Sequence, residues 1–199
     1  MKTKIKCLTS VFLTITMLLS IIVVAPITVN ASEDDLTYGD FTYEVNNDGS
    51  CTITYYEGKS ADVSIPSTIC GHKVTKIGSG AFLLCDSLTS INIPDGVETI
   101  EGEAFKYCEK LANITIPESV SYIGGETFAD TKWFNKQADG MVYAGNNAYA
   151  YKGAMPQNTT VTLKEGTKSI AGNAFYSEEN LAGIILPCLL YTSPSPRDC

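Results

Sequence analysis

The sequence predicts a repeat solenoid. Short parallel strands alternate with short helical or 3-10 turns, and a β-hairpin region caps the N-terminal end. Three observations carry this prediction. A unit of 23 residues recurs in strict register, as in Val74/Val97, Phe82/Phe105, Leu88/Leu111 and Pro94/Pro117. Each unit closes on an alternating apolar run such as Leu88-x-x-Ile91-x-Ile93, the period of a strand with one buried face. Ahead of the first unit, short alternating runs flank the turn signal Asn47-Asp48-Gly49.

The chain has 199 residues, and its two ends differ from this pattern. Residues 1–31 combine Lys2, Lys4 and Lys6, an apolar stretch from Leu8 to Val24, and the small-x-small site Val29-Asn30-Ala31. That is the form of a secretory signal, with cleavage expected between Ala31 and Ser32. Residues 188–199 break the repeat and hold the single arginine, Arg197. They resemble the conceptual translation of a transposase-type sequencing adapter and are expected to be a scar rather than native sequence.

Residues 32–62 are expected to form the β cap, from strands over Phe41 to Val45, Cys51 to Tyr56 and Ala61 to Ile65. Residues 63–187 hold the repeats. In each copy Ala81, Phe82, Cys85 and Leu88, or their equivalents, fall on one face of a short helical turn. Pro94 then stops the strand and Asp95-Gly96 turns the chain. A third copy starts at Val120 and a fourth at Ile170. Phe128 and Phe175 are 47 residues apart, which leaves an expanded, degenerate coil at about 129–160. Within it, Met141-Val142-Tyr143 and Ala148 to Tyr151 are expected to form an extra hairpin that projects from the stack. One unit cannot bury its apolar face alone, whereas stacked units share a continuous core.

Charge narrows the partners. Residues 32–187 carry 10 basic and 21 acidic side chains, a net charge of −11. Nucleic-acid binders present a basic face, so nucleic acid is excluded as a partner. Anionic membranes are disfavoured for the same reason, and no membrane insertion is expected once the signal is cleaved. The single histidine, His72, sits in the Cys70-Gly71-His72-Lys73 insertion and is read as a solvated turn residue. The sequence has no phosphate loop, zinc motif or nucleophile elbow. It is therefore read as non-catalytic, with no cofactor and no metal.

The repeat Ile-Pro-x-x-Val-x-x-Ile-x-x-x-Ala-Phe-x-x-Cys-x-x-Leu-x-x-Ile, over about Val63 to Pro187, resembles the BspA-like leucine-rich repeats of bacterial secreted and surface proteins. The resemblance implies a curved leucine-rich-repeat solenoid with a parallel sheet on one face, used in protein binding and adhesion. It also implies a secreted or cell-surface location. Departures stand at Thr127 for Ala, at Thr131 and Glu178 for Cys, and in the insertion after Trp133.

The outward strand residues are the first candidates for binding a protein or glycan. Ser90 and Asn92, Asn113 and Thr115, and Thr160 and Thr162 are expected to align into a shallow polar face, with Asp62 and Ser64 extending it at the cap end. The face has no aromatic or arginine, the usual anchors of tight interfaces, so binding through it is expected to be weak or multivalent. Trp133, Tyr143, Tyr149 and Tyr151 form the richest aromatic cluster. It reads either as a binding patch or as cover for the core where the repeat breaks. Cys85 and Cys108 share one repeat position, which leaves two buried thiols or a disulfide between adjacent coils. Cys51 and Cys70 could pair within the cap, which the sequence alone leaves open. The leading functional reading is an exported binding module. The alternative is a spacer or accessory domain of a larger surface enzyme.

Overall fold

The computed structural model describes residues 36–187, so the expected signal cleavage at Ala31/Ser32 and the tail at 188–199 lie outside the described residues. The chain winds as a β-solenoid. It opens with three antiparallel strands, β1 (Leu36–Tyr38), β2 (Phe41–Val45) and β3 (Cys51–Tyr56). Strands β4 (Asp62–Ser64), β5 (Thr68–Ile69) and β6 (His72–Ile77) follow, then β7 (Ser90–Asn92), β8 (Thr99–Ile100), β9 (Asn113–Thr115) and β10 (Tyr122–Ile123). A four-residue helix, α1 (Lys132–Asn135), precedes β11 (Gly140–Ala144), β12 (Asn147–Lys152), β13 (Thr159–Thr162), β14 (Ser169–Ile170) and β15 (Leu181–Ile185).

Each regular coil gives one strand to each of two parallel ladders. One runs β3-β6-β8-β10, in the register Lys76↔Thr99↔Tyr122 and Ile77↔Ile100↔Ile123. The other runs β4-β7-β9, in the register Asp62↔Ser90↔Asn113 and Ser64↔Asn92↔Thr115. The 23-residue period is what aligns identical residue types: side chains alternate across a strand, so equivalent apolar positions of successive coils must meet inside. Ile77, Ile100 and Ile123 are fully buried in one column, and Leu88 and Leu111 in another.

The corners between ladders are runs of i→i+3 turns, such as Leu83 N–H to the Gly80 carbonyl and Lys106 N–H to the Glu103 carbonyl. Two residues after each corner phenylalanine the backbone is left-handed, at Leu84, Tyr107, Asp130 and Ser177 (φ 58–62°). Bulky residues adopt that conformation at a cost of about 1–2 kcal/mol. Here neighbouring coils hold it, because Leu84 N–H donates to the Lys106 carbonyl (3.1 Å) and Tyr107 N–H to the Ala129 carbonyl (3.0 Å). Inside the corners Tyr56, Phe82, Phe105 and Phe128 form a ring stack with centroid spacings of 5.0, 5.0 and 5.7 Å.

The expanded coil departs from expectation in one respect. Its hairpin, β11 and β12, does not project from the stack. Strand β12 pairs in parallel with β14, and Val142, Ala144, Ala148 and Tyr149 are all buried. The apolar members of both strands face inward, so burying them places the hairpin in the position of a rung.

Candidate partner-binding faces

The ladder β4-β7-β9 brings six of the expected face residues together. Asp62, Ser90 and Asn113 form one row and Ser64, Asn92 and Thr115 the next. Val63 and Ile91 alternate with them and point inward, which holds these polar side chains toward solvent. Within the row, the Ser90 hydroxyl donates to Asp62 Oδ1 at 2.7 Å. Thr160 and Thr162 are exposed as well, but they lie on β13, which pairs only with β15 in a separate two-stranded sheet. The hydrogen-bonded ladder therefore stops at Asn113–Thr115, before the expanded coil.

The four aromatic candidates divide. Tyr149 is buried, with its ring against Phe128 (5.3 Å), Phe134 (5.6 Å) and Trp133 (6.3 Å). Tyr143 lies under the Lys164 ammonium (4.4 Å), and its hydroxyl accepts the Lys164 N–H (2.9 Å). Tyr151 packs against a second apolar cluster containing Met155, Val161 and Leu163. Trp133 and Tyr149 thus serve the ring stack, and no common exposed patch unites the four.

A second outward face escaped the sequence reading. Lys76, Thr99 and Tyr122 align along β6-β8-β10, with Tyr122 46% exposed. Beside it the β2–β3 turn overhangs a cleft of about 580 Å³, lined among others by Glu44, Asp48, Thr75, Lys76 and Glu98. Two hydrogen bonds from Ser50, one from its hydroxyl (2.6 Å) and one from its N–H (2.9 Å), hold the Asp48 carboxyl below the usual carboxylate range. The carboxylate is consequently charged at neutral pH, fixed by the turn that Asn47-Asp48-Gly49 announces. Two of the three strands behind this face, β8 and β10, are two residues long, too short to show alternation in the sequence.

Cys51, Cys85 and Cys108 are free thiols, so Cys51 does not pair with Cys70 and no Cys85–Cys108 disulfide is present. Cys108 is buried and Cys85 half-buried. His72 donates from Nδ1 to the Gly49 carbonyl at 2.8 Å and so ties its insertion to the cap turn. Among the described residues no three His, Cys, Asp or Glu side chains converge as metal ligands, and no helix is long and apolar enough to cross a membrane.

Comparison with known proteins agrees with this architecture. The profile of the BspA type leucine rich repeat region matches residues 75–194 in six copies. Among solved structures, a leucine rich repeat protein of T. pallidum is 29% identical, with a TM-score of 0.52, and the match covers 74% of this chain and 69% of that one. A leucine-rich repeat protein of Bacteroides ovatus is 26% identical, with a TM-score of 0.51, over 77% of this chain and 41% of that one. A leucine rich cell surface protein of Faecalibacterium prausnitzii is 26% identical, with a TM-score of 0.45, over 78% and 43%. No curated protein matches.

Proposed function

The chain belongs to the BspA-type leucine-rich-repeat family, and from that premise we propose that it is an exported, non-catalytic module that binds a protein or glycan partner at the cell surface. The observation that supports this most is the two-row polar ladder formed by Asp62, Ser64, Ser90, Asn92, Asn113 and Thr115. Three rungs set these side chains about 4.8 Å apart on a rigid backbone, a spacing that suits repeated hydrogen bonding to an extended partner. Individual contacts of this kind are weak, so affinity comes from repetition along the face.

The test replaces Asn92, Asn113 and Thr115 together with lysine. Binding is read by biolayer interferometry against an immobilised panel of extracellular-matrix proteins and glycans. Binding lost with the circular-dichroism melt unchanged supports this face. Binding retained by the folded variant moves the site elsewhere.

A second reading makes the module a spacer or accessory domain of a larger surface enzyme. The match to only 41% of the Bacteroides ovatus chain favours it, since similar coils sit there within a longer protein. In its spacer form it predicts no binding to any member of that panel.

A further inference from the structure

Cys85 and Cys108 occupy one repeat position in adjacent coils, and both are free. The corners that carry them run in parallel and are tied on the approach to each cysteine. Phe82 N–H donates to the Ala104 carbonyl at 2.8 Å and Leu84 N–H to the Lys106 carbonyl at 3.1 Å. Backbones in such register stand about 4.8 Å apart. Disulfides need a Cα separation of about 4.4–6.8 Å, a range that includes this backbone spacing.

The two thiols have unequal surroundings. Cys108 is buried and its Sγ donates to the Phe82 carbonyl at 3.0 Å. Cys85 is half-buried, at the edge of the core. The neighbouring Cys108 side chain lowers the Cys85 thiol below its ordinary value, whereas Cys108 is pushed up by the Cys85 side chain and by burial. The less buried thiol is thus also the more acidic one, the combination that favours a cysteine as nucleophile. The next two copies place Thr131 and Glu178 at this position, so the pairing belongs to these two coils.

We propose that Cys85 is a modification site for low-molecular-weight disulfides and that Cys108 is its resolving thiol, the reaction ending in a disulfide that staples two neighbouring coils. The Cys85 thiolate attacks one sulfur of the small disulfide, forming a mixed disulfide and releasing one thiolate, which takes up the proton lost by Cys85. Cys108 then gives up its proton and its sulfur attacks Cys85 Sγ, expelling the second small thiol. Two electrons pass from the protein pair to the small disulfide, which leaves as two thiols.

The experiment treats the reduced, folded full chain with oxidised glutathione at neutral pH. Trypsin cuts after Lys76, Lys106 and Lys110, so Cys85 and Cys108 fall in separate peptides, 77–106 and 107–110. The expected result is a linked peptide pair that separates on reduction, and a melting temperature raised by about 5 °C. Cys108→Ser is expected to stop at one glutathione on Cys85. In Cys85→Ser, Cys108 is expected to stay unmodified until denaturant is added. Circular dichroism confirms that both variants are folded, and alanine replaces serine in any that is not. The proposal is overturned if Cys85 of the folded wild type stays unmodified, if its glutathione adduct persists without linking to Cys108, or if the linked pair forms only in denaturant.

Discussion

Phe105 and Phe128 hold the same repeat position 23 residues apart, but only the first is followed by another regular coil. Phe105 N–H donates to the Thr127 carbonyl of the next coil at 2.9 Å, as Phe82 N–H does to the Ala104 carbonyl at 2.8 Å. Beyond Phe128 no such carbonyl arrives, and its N–H donates to the Tyr149 hydroxyl at 2.8 Å. The Asn147 side chain likewise donates to the Val120 carbonyl at 3.2 Å. Thr131, where the regular coils have cysteine, caps α1 by accepting the Phe134 N–H at 3.1 Å. In regular coils backbone satisfies backbone. In the expanded coil side chains take over, which lets the solenoid absorb an insertion without leaving buried polar groups unpaired.

The sharpest way to break this comparison is through the ring stack. Phe105 is fully buried between Phe82 and Phe128. Phe105→Ala is expected to cost about 4 kcal/mol in urea unfolding. Phe175, the equivalent residue beyond the expansion, is only partly buried. Phe175→Ala is therefore expected to cost about half as much. Equal losses would mean that the two regions are packed alike.

Glycine at the corner gives the next contrast. A Cβ on Gly124 would lie 2.3 Å from Gly102 N and 2.6 Å from Gly102 Cα, whereas one on Gly172 would meet nothing within 4 Å. Backbone cannot rotate aside as a side chain can. Gly124→Ala is expected to cost about 3 kcal/mol and Gly172→Ala under about 0.5 kcal/mol, read from the same denaturation curves.

The third contrast concerns the side-chain substitutes. Tyr149→Phe keeps the ring but strips the Phe128 N–H of its partner, so a loss of about 1–3 kcal/mol is expected. Burial pushes the Tyr149 hydroxyl well above the usual tyrosine range. A folded-state value above the unfolded one means that stability is whole below the unfolded value near pH 10 and declines above it. The phenylalanine variant is expected to show a shallower alkaline decline in its melting temperature, and an unchanged slope would remove Tyr149 from this role.

These contrasts also mark what could be read from the sequence. The solenoid was legible because Leu88-x-x-Ile91-x-Ile93 and its copies repeat a local pattern at a fixed interval, and local period dictates which face is buried. Asp62, Ser90 and Asn113 align for the same reason. Tyr149 and Asn147 left no such trace. Their partners, Phe128 and Val120, lie 21 and 27 residues away, and a side chain standing in for a backbone group has no periodicity. The hairpin was recognisable from its turn, but its incorporation as a rung depends on Val142 and Ala148 meeting a core assembled from other coils. Lys76, Thr99 and Tyr122 form a face only after three coils are stacked.

The smallest effect is expected where charge crosses from one region to the other. Glu126, in the last regular corner, pairs with Lys106 of the coil before and accepts from the Asn173 side chain of the coil beyond the expansion at 3.1 Å. Its carboxyl is held below the usual range, first by the hydrogen bond from Lys106 and then by that residue's charge. A folded-state value below the unfolded one gives stability that is present above about pH 4.3 and lost as the pH falls toward the folded value. Glu126→Gln keeps an acceptor for Asn173 and removes the charge. Because the Glu126 side chain is 43% exposed, the variant's melting temperature is expected to fall by only about 1–2 °C at neutral pH. The deficit should close in acid and shrink in high salt. A deficit unchanged by both would mean that the charge of Glu126 is not what links the two regions.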